Sequence, residues 1–252
     1  MPPENQPISQ PVARDYSNLY TPAAIVLAGI LIGGGLMFGL RGNSSAPATG
    51  ATQPTVAVNI KDVKTAGEPY IGSADAPVTL AFWSDFQCPF CKAFEVGGVP
   101  QIPGAPALPD IVKNYVNAGK VKIVFKDFAF LGNDSITAGE YGRAIWHLYP
   151  DQYFAWRTAM YTAQDAEGDT GFGNAATIDA LIKSQFAKMD DAAIKADITK
   201  NKTAYDAAMQ ADEAEGQSFG ITGTPGFITG TQEIDGAQPF AAFQAVIDPQ
   251  LK

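Results

Sequence analysis

Two cysteines, Cys88 and Cys91, stand three residues apart in the run Cys88-Pro89-Phe90-Cys91, and the chain contains no others. At that spacing on the first turn of a helix, two sulfurs fall on one side and can close a short disulfide. In the reduced form the N-terminal thiol faces unpaired backbone N–H groups and the positive end of the helix dipole, both of which favour thiolate. Thiolates at helix N-termini reach pKa values of roughly 3.5–7.5, and only a thiolate attacks a disulfide. Cys88 is therefore the candidate nucleophile. Cys91, one turn further in, is the candidate resolving thiol, and Pro89 suits the first helical position. An inert cystine and half of a metal site shared between two chains are the weaker alternatives. A zinc site needs about four ligands, and this chain offers two Cys and one His.

The elements around the pair fit a redox centre. Val78–Trp83 is a short apolar run suited to a buried strand, and Ser84–Gln87 lead into Cys88. The helix from Pro89 is expected to end near Val96. A Gly/Pro-rich loop from Gly97 to Pro109 follows, then a helix with Asp110 as N-cap, ended by Gly119. Lys120–Phe128 alternates strongly and reads as a strand. Two strands joined by a helical crossover are usually parallel. From 134 to 216 the chain reads helical, with Thr177 expected to cap one helix. Strands return at Gly226–Thr229 and Gln232–Asp235, before a last helix over Pro239–Ile247. This order implies an α/β fold: a small mixed sheet with helices on its faces and a helical subdomain inserted in its middle. Gly223-Thr224-Pro225-Gly226 stands just before a strand, where proline cannot donate a ladder hydrogen bond.

Upstream, residues 1–22 are polar and proline-rich and read as a disordered tail. Residues 23–40 are 18 residues without a charge, roughly 27 Å as a helix and close to the hydrocarbon thickness of a bilayer. A transmembrane anchor fits this run better than a cleaved signal peptide, whose apolar region is shorter, or a buried soluble helix, which Gly33–Gly35 would weaken. Residues 41–68 read as a linker with a candidate edge strand at Thr55–Ile60, and the folded domain as 69–252. The net charge is −9, of which Glu4, Arg14 and Asp15 leave −1 before Arg41. An acidic domain repels phosphate backbones, so nucleic acid is not an expected partner.

Phe82–Lys92, Lys120–Phe128 and Gly220–Phe227, together with the helical insertion, resemble the DsbA-like branch of the thioredoxin superfamily, including its membrane-anchored, BdbD-type members. The resemblance runs from about Pro69 to the C-terminus. It implies a thioredoxin fold and a cis Pro225 packed opposite Cys88 and Cys91. Thr224 would offer its backbone to an extended substrate chain. It further implies exported cysteine-containing substrates, a membrane partner that resets the pair, and no cofactor beyond the Cys88–Cys91 disulfide. Such chemistry belongs outside a reducing cytosol, which would put residues 1–22 inside and the domain outside the cell membrane.

Departures from the family pattern carry expectations of their own. Phe90 replaces the histidine of the best-known motif and can neither donate a hydrogen bond nor carry charge, so a weaker oxidant is expected. Phe82 stands where many relatives place a buried acid. Gly226 is expected to loosen the substrate-facing loop. Asp85 reads as a capping or surface residue, His147 and Trp83 as packing residues, and Asp165–Asp169 as a polar loop lacking the features of a calcium site. Disulfide reduction or isomerisation, and a non-catalytic peptide-binding or chaperone module, remain the competing functions.

Overall fold

The computed structural model describes residues 57–104, 106–165 and 171–252. The tail, the apolar run at 23–40 and most of the linker lie outside the described residues. Among the described residues no helix is long and apolar enough to cross a membrane.

Among the described residues, five strands form one mixed sheet: β1 Tyr70–Ile71, β2 Val78–Ser84, β3 Val121–Asp127, β4 Gly226–Thr229 and β5 Gln232–Asp235. Their order is β1-β3-β2-β4-β5. β2 and β3 are parallel, and the remaining pairs antiparallel. β2 sits in the centre and is covered on both faces, which is why its sequence is a continuous apolar run rather than an alternation.

The described residues also form seven α-helices: α1 Pro89–Glu95, α2 Ala107–Ile111, α3 Asn133–Leu148, α4 Pro150–Ala163, α5 Ala175–Gln185, α6 Asp191–Ser218 and α7 Phe240–Ile247. α2 continues as a π-helical turn, Val112–Val116. Helices α3 to α6 are the insertion between β3 and β4. Tyr149 breaks the chain between α3 and α4, and Pro150 opens α4, where its missing N–H costs nothing. Asp190 caps α6 by accepting from the N–H groups of Ala192 and Ala193. Gly230, with φ 57°, supplies the turn between β4 and β5.

The two sheet faces have separate cores. Leu80, Phe82, Ile123, Phe125 and Phe227 pack with Cys88, Cys91, Phe94 and Trp156. Ala81, Trp83, Phe128, Ile221 and Ile228 pack on the other side with Val58 and Val63.

Several local readings need correction. In the described part of Thr55–Ile60 there is no strand. Residues 57–59 are irregular and Ile60–Asp62 is a 3-10 turn. The Ile60 N–H donates to the Gly230 carbonyl, so the segment packs across the sheet face instead of extending its edge. That edge belongs to Tyr70–Ile71. Residues before Pro69 therefore contribute to the core. Asp110 is not an N-cap but lies in the first turn of α2, which Pro106 precedes. Asn174, not Thr177, caps α5, its side chain accepting from the Thr177 N–H. His147 is not a packing residue: its side chain is 59% exposed, with Nδ1 3.0 Å from Asp197. Gly226 stands where a Cβ would lie 2.6 Å from Ile221 Cγ2, so a close approach accounts for the glycine. Trp83 is fully buried, as expected, and its Nε1 donates to the Asp212 carbonyl.

Candidate active site

Strand pairing assembles the site. β2 and β4 run antiparallel with Trp83 opposite Gly226. The chain leaving β2 toward Cys88 and the chain entering β4 through Thr224 and Pro225 therefore meet at one end of the sheet. The Thr224–Pro225 bond is cis, and the Cys88 thiol donates to the Thr224 carbonyl at 3.2 Å.

Cys88 is the N-cap residue of α1, and no side chain caps the helix. The backbone N–H groups of Phe90 and Cys91 thus face its sulfur. The neighbouring Cys91 thiol, the Thr224 side chain and those two amides outweigh burial and bring the Cys88 pKa down to about 7. Burial pushes the Cys91 thiol far above its ordinary value, and the adjacent Cys88 adds to this. Both cysteines are free and buried, Cys88 at 4% exposure and Cys91 at none. Between them Phe90 is 50% exposed. The pair therefore has one acidic thiol at the mouth and one inert thiol behind it.

Asp85 is neither a surface group nor solvated. Its Oδ1 accepts from the Gln87 N–H and Ser135 Oγ. Its Oδ2 accepts from the N–H groups of Phe130 and Leu131. Four hydrogen bonds hold the turn into Cys88 against the loop after β3. Burial nonetheless raises the Asp85 pKa.

The place of a strand acid is filled by Phe82, stacked on Phe227 at 4.6 Å. A buried acid comes instead from α1. Glu95, one turn beyond Cys91, accepts from Arg157 Nε at 2.8 Å and Nη2 at 2.5 Å. Arg157 Nη2 also donates to Ser84 Oγ at 2.7 Å. The guanidinium lies 4.3–5.2 Å from the rings of Phe82, Phe86, Phe125 and Tyr161. Burial pushes Glu95 up to about 7, even against Arg157. The Tyr161 hydroxyl donates to the Asp85 carbonyl. Glu95, Arg157 and Tyr161 were not identified from sequence. The available signal was a charged residue on the face of α1 that also carries Cys91, and an arginine four residues from both Tyr153 and Tyr161.

Among the described residues no cluster of three or more His, Cys, Asp or Glu is arranged to hold a metal ion. Residues 166–170, within the polar loop, lie outside the described residues, and Asp165 accepts from the Phe172 N–H.

A family model described as thioredoxin matches residues 64–249. The chain is 26% identical over 184 residues to the probable disulfide bond formation protein D of Bacillus anthracis, covering 72% of this chain and 77% of that one. It is 25% identical over 187 residues to disulfide bond formation protein D of Bacillus subtilis, covering 74% and 78%. Among solved structures, oxidised BdbD from Bacillus subtilis superposes with a TM-score of 0.66 at 22% identity, over 78% of this chain and 98% of that one. The thiol-disulfide exchange protein alpha-DsbA2 from Wolbachia pipientis superposes with 0.59 at 22% identity, over 72% and 86%. On this match the chain belongs to the thioredoxin family, within its DsbA-like, BdbD-type thiol–disulfide oxidoreductases.

Proposed function

We propose that this protein oxidises cysteine pairs in exported proteins on the outer side of the cell membrane, with Cys88 as the reactive sulfur and Cys91 as the resolving one. The observation that carries this reading is the asymmetry of the pair. Cys88 is brought down to about 7 at a helix N-terminus beside the Thr224 carbonyl, whereas Cys91 is held protonated by burial.

The chemistry balances without a cofactor. A substrate thiolate attacks Cys88 Sγ of the Cys88–Cys91 disulfide. The S–S bond breaks, and Cys91 leaves with the electron pair and takes a proton. The second substrate thiolate then attacks the substrate sulfur of the mixed disulfide and expels Cys88 as thiolate. Two electrons have moved from substrate to the pair, and a membrane redox partner must remove them. The substrate chain lies extended along the backbone at Thr224 and Pro225, with Pro89 and Phe90 on the opposite lip. The uncharged run at 23–40 tethers the domain to the membrane.

One observation favours the reducing or isomerising direction. A Cys88 pKa near 7 matches thioredoxin rather than DsbA, for which ~7 and ~3.5 are typical. The reduction potential decides between them: a value below ~-270 mV, that of thioredoxin, would overturn the oxidant reading. A Cys91→Ser variant is expected to trap mixed disulfides through Cys88, and exported proteins among the trapped chains would support the substrate assignment. Cys88→Ser should abolish RNase oxidation with the fold retained. Recovery of the full chain in the soluble fraction would overturn the anchor.

A further inference from the structure

The inserted helical subdomain touches the backbone of the reactive cysteine itself. Gln164, the residue that ends α4, is only 5% exposed. Its side-chain Nε2 donates to the Phe86 carbonyl at 2.7 Å and to the Cys88 carbonyl at 3.1 Å. Its own carbonyl accepts from Lys92 Nζ at 2.6 Å. A second strap lies beside it, where Gln87 Nε2 donates to the Phe172 carbonyl at 3.0 Å. The run from Phe86 to Lys92 is thus bonded to both flanks of the α4–α5 connection.

We propose that Gln164 is a positioning residue for the Cys88 thiolate, through which the insertion sets the reactivity of the pair. This rests on reading Cys88 as the reactive sulfur. The Cys88 carbonyl accepts two hydrogen bonds, one from the Lys92 N–H within α1 and one from Gln164. Together they hold Cys88 at φ −75° and ψ 121°. That backbone setting determines where Cβ and Sγ point relative to the N–H groups of Phe90 and Cys91. Hydrogen bonds to sulfur weaken steeply as they lose alignment, so a Cys88 peptide free to rock would stabilise its thiolate less. Asp85 holds the same turn from the side of β3. Gln164 is the counterpart from the insertion and bonds the cysteine directly. Both of its donations go to carbonyls flanking Gln87, next to the reactive sulfur.

The test is the pH profile of iodoacetamide alkylation of the reduced full-length protein, with the labelled cysteine located by peptide mass mapping. In Gln164→Met, close in shape and without donors, the Cys88 midpoint should rise by about half a unit or more, leaving roughly threefold less thiolate at pH 6. Gln164→Glu should raise it further, because an ionised carboxylate repels the thiolate. Gln164→Asn keeps the amide but is one methylene too short to reach both carbonyls, and covers the case in which Gln164→Met does not fold. It should shift the midpoint in the same direction. Asn174→Ala, which removes the α5 cap, should lower Tm and leave the midpoint in place. If the Gln164 variants lose Tm while the midpoint moves by less than about 0.2 units, Gln164 is a structural brace and the proposal fails. If the label in the unmodified protein falls on Cys91 instead of Cys88, the reading of Cys88 fails first.

Discussion

Phe90 exposes half of its surface between two buried sulfurs, and it offers the Cys88 thiolate only its backbone N–H. Replacing it by histidine would add a donor and, when protonated, a charge two residues from Cys88. Phe90→His is expected to lower the Cys88 pKa below 7 by about one unit, a tenfold change in the ionisation constant. Because this stabilises the reduced form, the potential should become less negative. Equilibration with glutathione measures it, and an unchanged potential would show that the side chain at this position does not govern the pair. In the unmodified reduced protein, alkylation of Cys88 should rise with a midpoint near pH 7, while Cys91 resists until well above it. The proposed roles of Cys88 and Cys91 rest on local chain geometry, which is why two residues and their spacing were enough to propose them. Glu95 was not legible in the same way. Its position on α1 shows only that a charge faces inward, and the partner that makes this tolerable lies 62 residues on, at Arg157.

Helix α4 joins the insertion to the sheet through that arginine. Arg157 is fully buried, wrapped by aromatic rings and bonded to Glu95 and Ser84. Removing one member of a buried ion pair leaves an uncompensated charge, whereas replacing both by apolar groups is often nearly neutral. Arg157→Met is therefore expected to destabilise the protein by roughly 3–5 kcal/mol. A Glu95→Leu/Arg157→Met double variant should recover most of that loss. Urea unfolding of the three proteins tests the pair, and a double variant no better than the single one would show that Arg157 acts through its ring contacts instead. At this scale, β2, β3, β4, β5 and α7 were readable because hydrophobic period and turn residues are local signals. The failures were equally local. Thr55–Ile60 alternates, yet the sheet edge beside β3 is taken by Tyr70–Ile71, and competition for an edge is invisible to a six-residue window. Asp110 and Thr177 have the composition of caps, but Pro106 and Asn174 stand three or four residues earlier and start the helices there.

At the scale of the whole fold, a buried group of charges among the described residues joins the end of β3 to the insertion. Lys126 is buried against Asp212, with Glu215 at 3.1 Å and Glu68 at 3.6 Å. Arg143 reaches Asp127 at 2.8 Å, Asp212 at 2.6 Å and Glu68 at 3.2 Å. Four carboxylates thus share two cations and tie the segment before β1 to β3, α3 and α6. Burial, with Asp212 nearby, pushes Glu68 up to about 7, as burial does for Glu95. The folded protein therefore holds both protons more tightly than the unfolded chain, whose glutamates ionise near 4.5. Their contribution to stability is complete below pH 4.5 and is lost as pH rises through 7. Stability should consequently fall between pH 5 and pH 8, by roughly 5 kcal/mol from these two groups together. Urea midpoints at the two pH values measure it, and Glu68→Gln with Glu95→Gln should flatten the difference. A rise with pH would contradict the assignment.

The sequence by itself determined the cysteine pair and its spacing, the strands that lead to it, the order of elements and the family they resemble. All of these depend on short-range facts: spacing along a helix, alternation along a strand, and a proline before a ladder. The tertiary structure decided what surrounds the pair. Thr224 reaches Cys88 across 136 residues because β4 pairs antiparallel with β2. Asp85 is a buried anchor because the loop after β3 returns over it. The inward-facing charge at Glu95 is answered from α4, and the peptide of Cys88 is gripped by Gln164 from the same helix. Each of these contacts joins segments far apart in the chain, and packing alone brings such segments together.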